Sequence, residues 1–420
     1  MYCFKCGAIL NQGERSCAAC GAKVVPTSED GTPLMQPSSD STVRRRNPLL
    51  IPLIAVSALL LACVSFFLGG RFSNQLIGTA LVSAPVVSHV PTPTPLATPT
   101  ATVDPADLQI VTFVDKQVEA WIRLKYINKD GPITVADMKQ ITVFEFDPVN
   151  DSQATGMIES LDDLRHCANL RTLSVFKQPV SSISSLSGLE NLTSVSIDCC
   201  DVADLTPLAG KKNLRIVWIS GCPVQDASPV LALPNLREIN ANGSMLSDIS
   251  PLADTRGLTA FYFDRKLKDY SPLFCHTAIT DLELSGISND DFIAMLVAMK
   301  RLAAFRIDNS AIEESGLKLL NGRNMYALSL NNCGLKDISA LSGLAGVSDL
   351  RLTDNQIEDI SPLAGLTGID YCLDLRSNSI RDYSPLRNMK SLRSLYVMGN
   401  PVTDDETLRE LEQNGCKVHR

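Results

Sequence analysis

From residue 170 onward the chain repeats one hydrophobic phrase. Leucine recurs at Leu170, Leu192, Leu214, Leu236 and Leu258, 22 residues apart each time. Each copy runs L-x-x-L-x-L, then a turn, then a phrase such as D-I-S-P-L-A; residues 236–257 and 347–368 are the clearest. Apolar and polar positions alternate within the phrase, which is the period of a half-buried strand. Leu173 and Val175, Val195 and Ile197, Val217 and Ile219, Leu350 and Leu352, and Leu395 and Val397 are predicted to face inward, with the residues between them outward. So short a unit can bury its apolar side only against its neighbours. The pattern therefore predicts a stack of repeats with parallel strands along one concave face. Pro207, Pro229, Pro251, Pro272, Pro362 and Pro385 mark short turns on the convex side. Residues 279–324 break the pattern. DDFIAMLVAMKRL and EESGLKLLNG have helical spacing and predict α-helices there.

The two ends of the stack read differently. Val114, Val118, Trp121 and Ile122 fall on one helical face, and Thr134 with Asp137 makes a capping box before Met138 and Ile141. A helical cap is expected over 107–145, because the first repeat would otherwise show its apolar end to water. Repeats then fill 146–400. Over 401–420 a terminal helix is expected from about Asp404, with Leu408 and Leu411 covering the last repeat and Gly415 ending the helix.

Before the repeats the patterning changes again. Residues 48–70 (PLLIPLIAVSALLLACVSFFLGG) carry no charge and are long enough to cross a bilayer as a helix. Arg44, Arg45 and Arg46 precede this span and only Arg71 closely follows it, which puts the N-terminus in the cytoplasm and the repeats outside. Residues 26–47 read as a polar linker, and 71–106, with PTPTPLATPTATVDP, as an extended stalk. At the start, Cys3/Cys6 and Cys17/Cys20 form two C-x-x-C pairs, each followed by glycine. Four thiolates at this spacing can close a tetrahedral Zn²⁺ site over 1–25, with metal binding supplying the folding energy.

A 20–29-residue period with this spacing is the mark of a leucine-rich repeat solenoid, an α/β fold. The S-P-L phrases and the helical cap make 108–420 resemble the internalin-like repeats of bacterial surface proteins. That resemblance implies mostly 3₁₀ turns on the convex face. It also implies a ladder of Asn or Cys side chains bonded to the turn backbone, at Asn355, Asn378 and Asn400 and at Cys200, Cys222 and Cys333. Residues 1–22 resemble the zinc ribbon at the N-terminus of many bacterial membrane proteins, although Phe4 and Ala18 stand where those ribbons often have proline. The recurrent Asp204, Asp226, Asp248, Asp337, Asp359 and Asp382 are read as turn caps ahead of the S-P-L phrases.

Outward strand positions carry the candidate site. Trp218 lies between inward Val217 and Ile219, Tyr262 takes the equivalent place two repeats later, and Phe176 lies on the same face. Exposed aromatics edged by carboxylates, here Asp198, Glu238 and Asp264, are usual anchors for a partner. Net charge is −8, so the repeats are not expected to bind nucleic acid. The four histidines do not form a nucleophile–base arrangement, and no enzyme is expected. The reading is a single-pass cell-membrane protein whose repeats bind an extracytoplasmic protein, peptide or glycan. Its alternatives are a sensor that signals to a cytoplasmic partner through the ribbon, and a non-catalytic subunit of a surface complex.

Overall fold

The alternating phrase folds into short parallel strands that pair in strict chain order. The computed structural model describes residues 104–402 and 405–420. The ribbon with Cys3, Cys6, Cys17 and Cys20, the linker, the apolar span and the stalk up to residue 103 lie outside the described residues. The sheet has thirteen strands in the order β1 to β13. They are β1 (Val143–Phe146), β2 (Thr172–Val175), β3 (Ser194–Ser196), β4 (Ile216–Trp218), β5 (Glu238–Asn240), β6 (Ala260–Tyr262) and β7 (Asp281–Ser285), followed by β8 (Ala304–Asp308), β9 (Ala327–Asn331), β10 (Asp349–Arg351), β11 (Cys372–Asp374), β12 (Ser394–Tyr396) and β13 (Lys417–His419). The parallel-strand solenoid is thus the observed fold. The inward residues named above are fully buried.

Between strands the chain needs only a tight return. Most returns are 3₁₀ turns such as Thr206–Leu208, Ser250–Asp254, Ser361–Leu363 and Ser384–Leu386, with proline in the first turn where its missing N–H costs nothing. The aspartate two residues before each turn accepts its first backbone N–H: Asp204 from Thr206, Asp248 from Ser250, Asp359 from Ser361 and Asp382 from Ser384, each at 2.7–2.8 Å. The central returns are longer. Helix Asn289–Ala298 is capped by Ser288, whose side chain accepts from Asp291 N, and it buries Phe292, Met295 and Leu296. Phe292 stacks on Phe305 of β8, with ring centroids 5.4 Å apart. Helix Glu314–Leu317 follows in the next repeat, and a one-turn helix, Ser228–Leu231, also occurs earlier.

Most strands, β2–β5 and β7–β12, run into a residue of positive φ where the chain leaves the sheet. Gly243 shows why glycine suits this place. Its φ is +72°, and an added Cβ would lie 3.3 Å from the Gly221 backbone of the preceding repeat.

The expected ladder is present. Asn355, Asn378 and Asn400 are buried and donate to backbone carbonyls of their own and the preceding repeat. Cys222 occupies the same slot, with its Sγ 2.9 Å from Ile197 O, and burial pushes its thiol up to about 12. Cys200 and Cys222 are free thiols.

Three expectations need correction. Val114 is not on the cap helix, which runs Lys116–Lys125 behind an Asp115 N-cap; Val114 is 59% exposed, while Val118, Trp121 and Ile122 are buried. The helix starts later because the Asp115 side chain takes the N–H groups of Gln117 and Val118. The sheet also begins earlier than expected, since β1 pairs with β2 inside the stretch read as cap. At the far end, helix Glu406–Gln413 is followed by β13, which pairs with β12, so the segment read as a helical cap also extends the sheet. Among the described residues no helix is long and apolar enough to cross a membrane.

Candidate functional site

In-register pairing lines the outward residues up in columns. Trp218, Asn240, Tyr262, Glu283 and Arg306 form one column across β4–β8. Glu238, Ala260, Asp281 and Ala304 form the adjacent column, two residues earlier in each strand. Asn242, Asp264 and Asp308 stand two residues beyond the first column.

Side chains tie these columns together. The Trp218 indole N–H donates to Glu238 Oε1 at 2.9 Å, reaching one strand along the sheet. Asn242 Nδ2 donates to Glu283 Oε1 at 3.0 Å, and Gly243 N donates to Asp264 Oδ1 at 2.7 Å. Tyr326 precedes β9, yet its hydroxyl donates to Asp281 Oδ1 on β7 at 2.7 Å. The strand between them carries only Ala304 in that column, and a larger side chain would stand in the way of the phenol.

The face is acidic. Within the strands β4–β8, Arg306 is the one cation against Glu238, Asp281, Glu283 and Asp308, and it draws on Glu283 and Asp308; Asp264, just past β6, is followed by the exposed Arg265 and Lys266. Burial lifts the carboxyl of Glu238 above its usual range; the Trp218 bond opposes this and repulsion from Asp281 adds to it. Burial also lifts Glu283, against the pull of Arg306 and Asn242 and with repulsion from Asp308 and Asp264. Asp308 is raised chiefly by burial, and one of its carboxylate oxygens is buried without a hydrogen-bond donor. Burial pushes the Tyr262 phenol upward as well, with help from Asp281 and Glu238. Towards the C-terminal end the outward charges pair with each other instead. Arg351 bonds Asp349 at 3.0 Å, Arg376 bonds Asp374 at 2.6 Å and lies over the Tyr396 ring, and Tyr396 stacks on His419 at 4.1 Å.

The structure brings together Trp218, Glu238 and Tyr262, with Asp264 beside them. It corrects two details. The rings of Trp218, Tyr262 and Phe176 are half-buried rather than exposed. Asp198 is 8% exposed, and its carboxylate accepts from Ser220 N at 2.8 Å and Ser196 Oγ at 2.6 Å, so it braces neighbouring strands. Phe176 lies after β2, with the Lys177 ammonium 5.0 Å from its ring centroid. Sequence reasoning missed Tyr326, Asn242 and Asp308. Only Tyr326 left a signal, as an aromatic directly before a strand. Among the described residues no cluster of His, Cys, Asp and Glu is arranged to hold a metal ion.

No family model matches the chain. A leucine-rich repeat-containing protein 56 homolog from Trypanosoma brucei brucei is 31% identical over 121 residues, 28% of this chain, and the match covers 16% of that protein's length. The solved structure of an internalin, inlF, from Listeria monocytogenes superposes with a TM-score of 0.57 at 23% identity, over 76% of this chain and 98% of that one. A plant peptide hormone receptor, RGFR1 in complex with RGF2, reaches 0.46 at 16% identity, over 68% of this chain and 52% of that one. The internalin likeness shows the fold: these repeats form a leucine-rich repeat solenoid of the internalin kind.

Proposed function

We propose that this chain is a membrane-anchored surface recognition protein, and that the sheet face at β4–β8 receives a protein, peptide or glycan partner outside the cell. The observation that carries this reading is the pairing of Trp218 with Glu238 beside Tyr262. Two half-buried rings, one held by a hydrogen bond, stand on the open side of a sheet whose other side is the core. Rings fixed in this way supply apolar area at little entropic cost, as interface anchors do. The leucine-rich repeat fold supports the reading because it exposes one long continuous face. The anchor is supported by the uncharged span 48–70 behind Arg44–Arg46, and places the repeats outside the cell membrane. The spacing of Cys3, Cys6, Cys17 and Cys20 supports a Zn²⁺ ribbon on the cytoplasmic side, available to a partner there.

The test is affinity capture with the full chain in its native membrane, followed by crosslinking from outside. Trp218→Ala and Tyr262→Ala should each lose the captured partner while the protein level is maintained. Undiminished capture by both variants would move the site off this face. Protease added to wall-stripped cells should remove the repeats and spare the ribbon; protected repeats would reverse the orientation.

A further inference from the structure

Trp218 and Tyr262 are not adjacent. Asn240 of β5 lies between them in the same column, so the rings stand on strands two apart. At about 4.8 Å per strand the backbones that carry the two rings are roughly 10 Å apart, and the bond to Glu238 leans the indole from β4 towards β5 and Asn240. A cation seated over Asn240 between them is within the roughly 6 Å over which an aromatic face attracts it. Asn240 itself is short, polar and half-buried. On its own strand, two residues back, stands Glu238, whose Oε1 already orients the indole.

We infer that the gap between Trp218 and Tyr262 clamps a lysine or arginine side chain of a cationic protein segment, over Asn240 and beside Glu238. This rests on the β4–β8 face being the recognition face, and names the chemistry of its partner.

Charge complementarity selects that occupant. The carboxylates of Glu238, Asp281, Glu283 and Asp308 lie on β5–β8 with Arg306 as the one cation within those strands; at the strand ends Asp264 is followed by Arg265 and Lys266. The ion pairs of the outward sheet face lie elsewhere, at Arg351–Asp349 and Arg376–Asp374. An incoming ammonium or guanidinium carries donors and positive charge together, and over Asn240 it stands beside the Glu238 carboxylate. A glycan hydroxyl would supply donors without charge, and an acidic partner would meet repulsion along the whole strip. Burial raises Glu238 and Glu283 towards their neutral forms, and a bound cation opposes that shift by favouring the ionised ones.

The experiment uses the purified full chain and three synthetic Gly/Ser peptides, carrying three lysines, three acetyl-lysines or three glutamates, with affinities read by calorimetry. The lysine peptide should bind at least tenfold more tightly than the other two, and its affinity should fall as salt rises. Glu238→Gln keeps an acceptor for the indole and removes only the charge. It should weaken the lysine peptide at least fivefold with an equal or higher melting temperature. Tyr262→Ala should weaken it similarly, and Glu358→Gln, away from this strip, should change nothing. Equal binding of lysine and acetyl-lysine peptides, no binding of the lysine peptide, or indifference to Glu238→Gln would each overturn the clamp. Those results alongside native capture that still needs Trp218 would sink the cation and keep the face. Native capture indifferent to Trp218 and Tyr262 would sink the face itself.

Discussion

Asn355 reaches back one repeat to Cys333: its Oδ1 accepts from Cys333 N at 2.9 Å and from Leu335 N at 3.0 Å. Its Nδ2 donates to the carbonyls of Leu330, Leu352 and Thr353. Cys333 fills the same slot one repeat earlier, but its thiol meets only the carbonyls of Ile307 and Asn331, at 3.4 and 3.3 Å. One residue therefore both accepts and donates, and the other only donates weakly. Asn355→Ala should cost roughly 2–4 kcal/mol, because it strands buried backbone groups, and Cys333→Ala only about 1 kcal/mol. Urea unfolding of the two variants checks the order. Equal losses would mean that the asparagine is not bracing the turn.

Inward and outward positions should separate as sharply. Leu350 is fully buried, and Leu350→Ala should destabilise by roughly 2–5 kcal/mol. Trp218→Phe keeps a ring and removes only the donor to Glu238, so it should cost about 1 kcal/mol. Thermal melts compare them directly. A Trp218→Phe loss as large as that of Leu350→Ala would put the indole in the core.

The acids titrate in two opposite senses. Burial raises the folded-state values of Glu238, Glu283 and Asp308, so their contribution is complete below the unfolded carboxylate range and is lost as pH rises through the raised values. Hydrogen bonds from the residue two positions on lower Asp204, Asp248, Asp337 and Asp382, so theirs is present above the unfolded range and is lost as pH falls through the lowered values. Glu283→Gln should therefore raise the melting temperature at about pH 7 and leave it unchanged at about pH 3, where the wild-type carboxyl is already neutral. A gain of the same size at both pH values would remove the charge from the explanation.

The ribbon gives a prediction independent of the repeats. Full-length protein purified without chelator should carry Zn²⁺, and Cys6→Ser should lose the metal while the repeat unit melts unchanged. Metal analysis reads the first result and calorimetry the second. Absence of zinc from the wild-type chain would leave the C-x-x-C pairs without their assigned role.

What could be read in advance depended on the range of the interaction that decides each feature. Leu173, Val195 and Val217 face inward because of alternation within their own strands, so the sequence displays it. The turn role of Asp359 is local too, since its partner is Ser361 N. Asp198 looked like a free outward acid because its partner Ser220 N belongs to the next repeat. Tyr326 joins Asp281 across a strand, and the opening it uses depends on Ala304. Val114 continues a helical period past the point where the Asp115 carboxylate starts the helix. Strand β13 reads Lys417-Val418-His419 behind a helix, without the repeated leucine phrase that marks the other short strands.

The strand order β1 to β13, with every strand beside its sequence neighbours, also bears on how such a face can change. Trp218, Asn240 and Tyr262 sit at matching points of successive repeats. Loss of the one repeat between the rings would leave the other strands in register and bring the rings to adjacent strands, about 4.8 Å apart, with no gap for a side chain. Gain of a repeat there would widen the gap by the same step. Spacing along this surface therefore changes in units of whole repeats, and a lineage could retune which partner fits by duplication or deletion without redesigning any core residue.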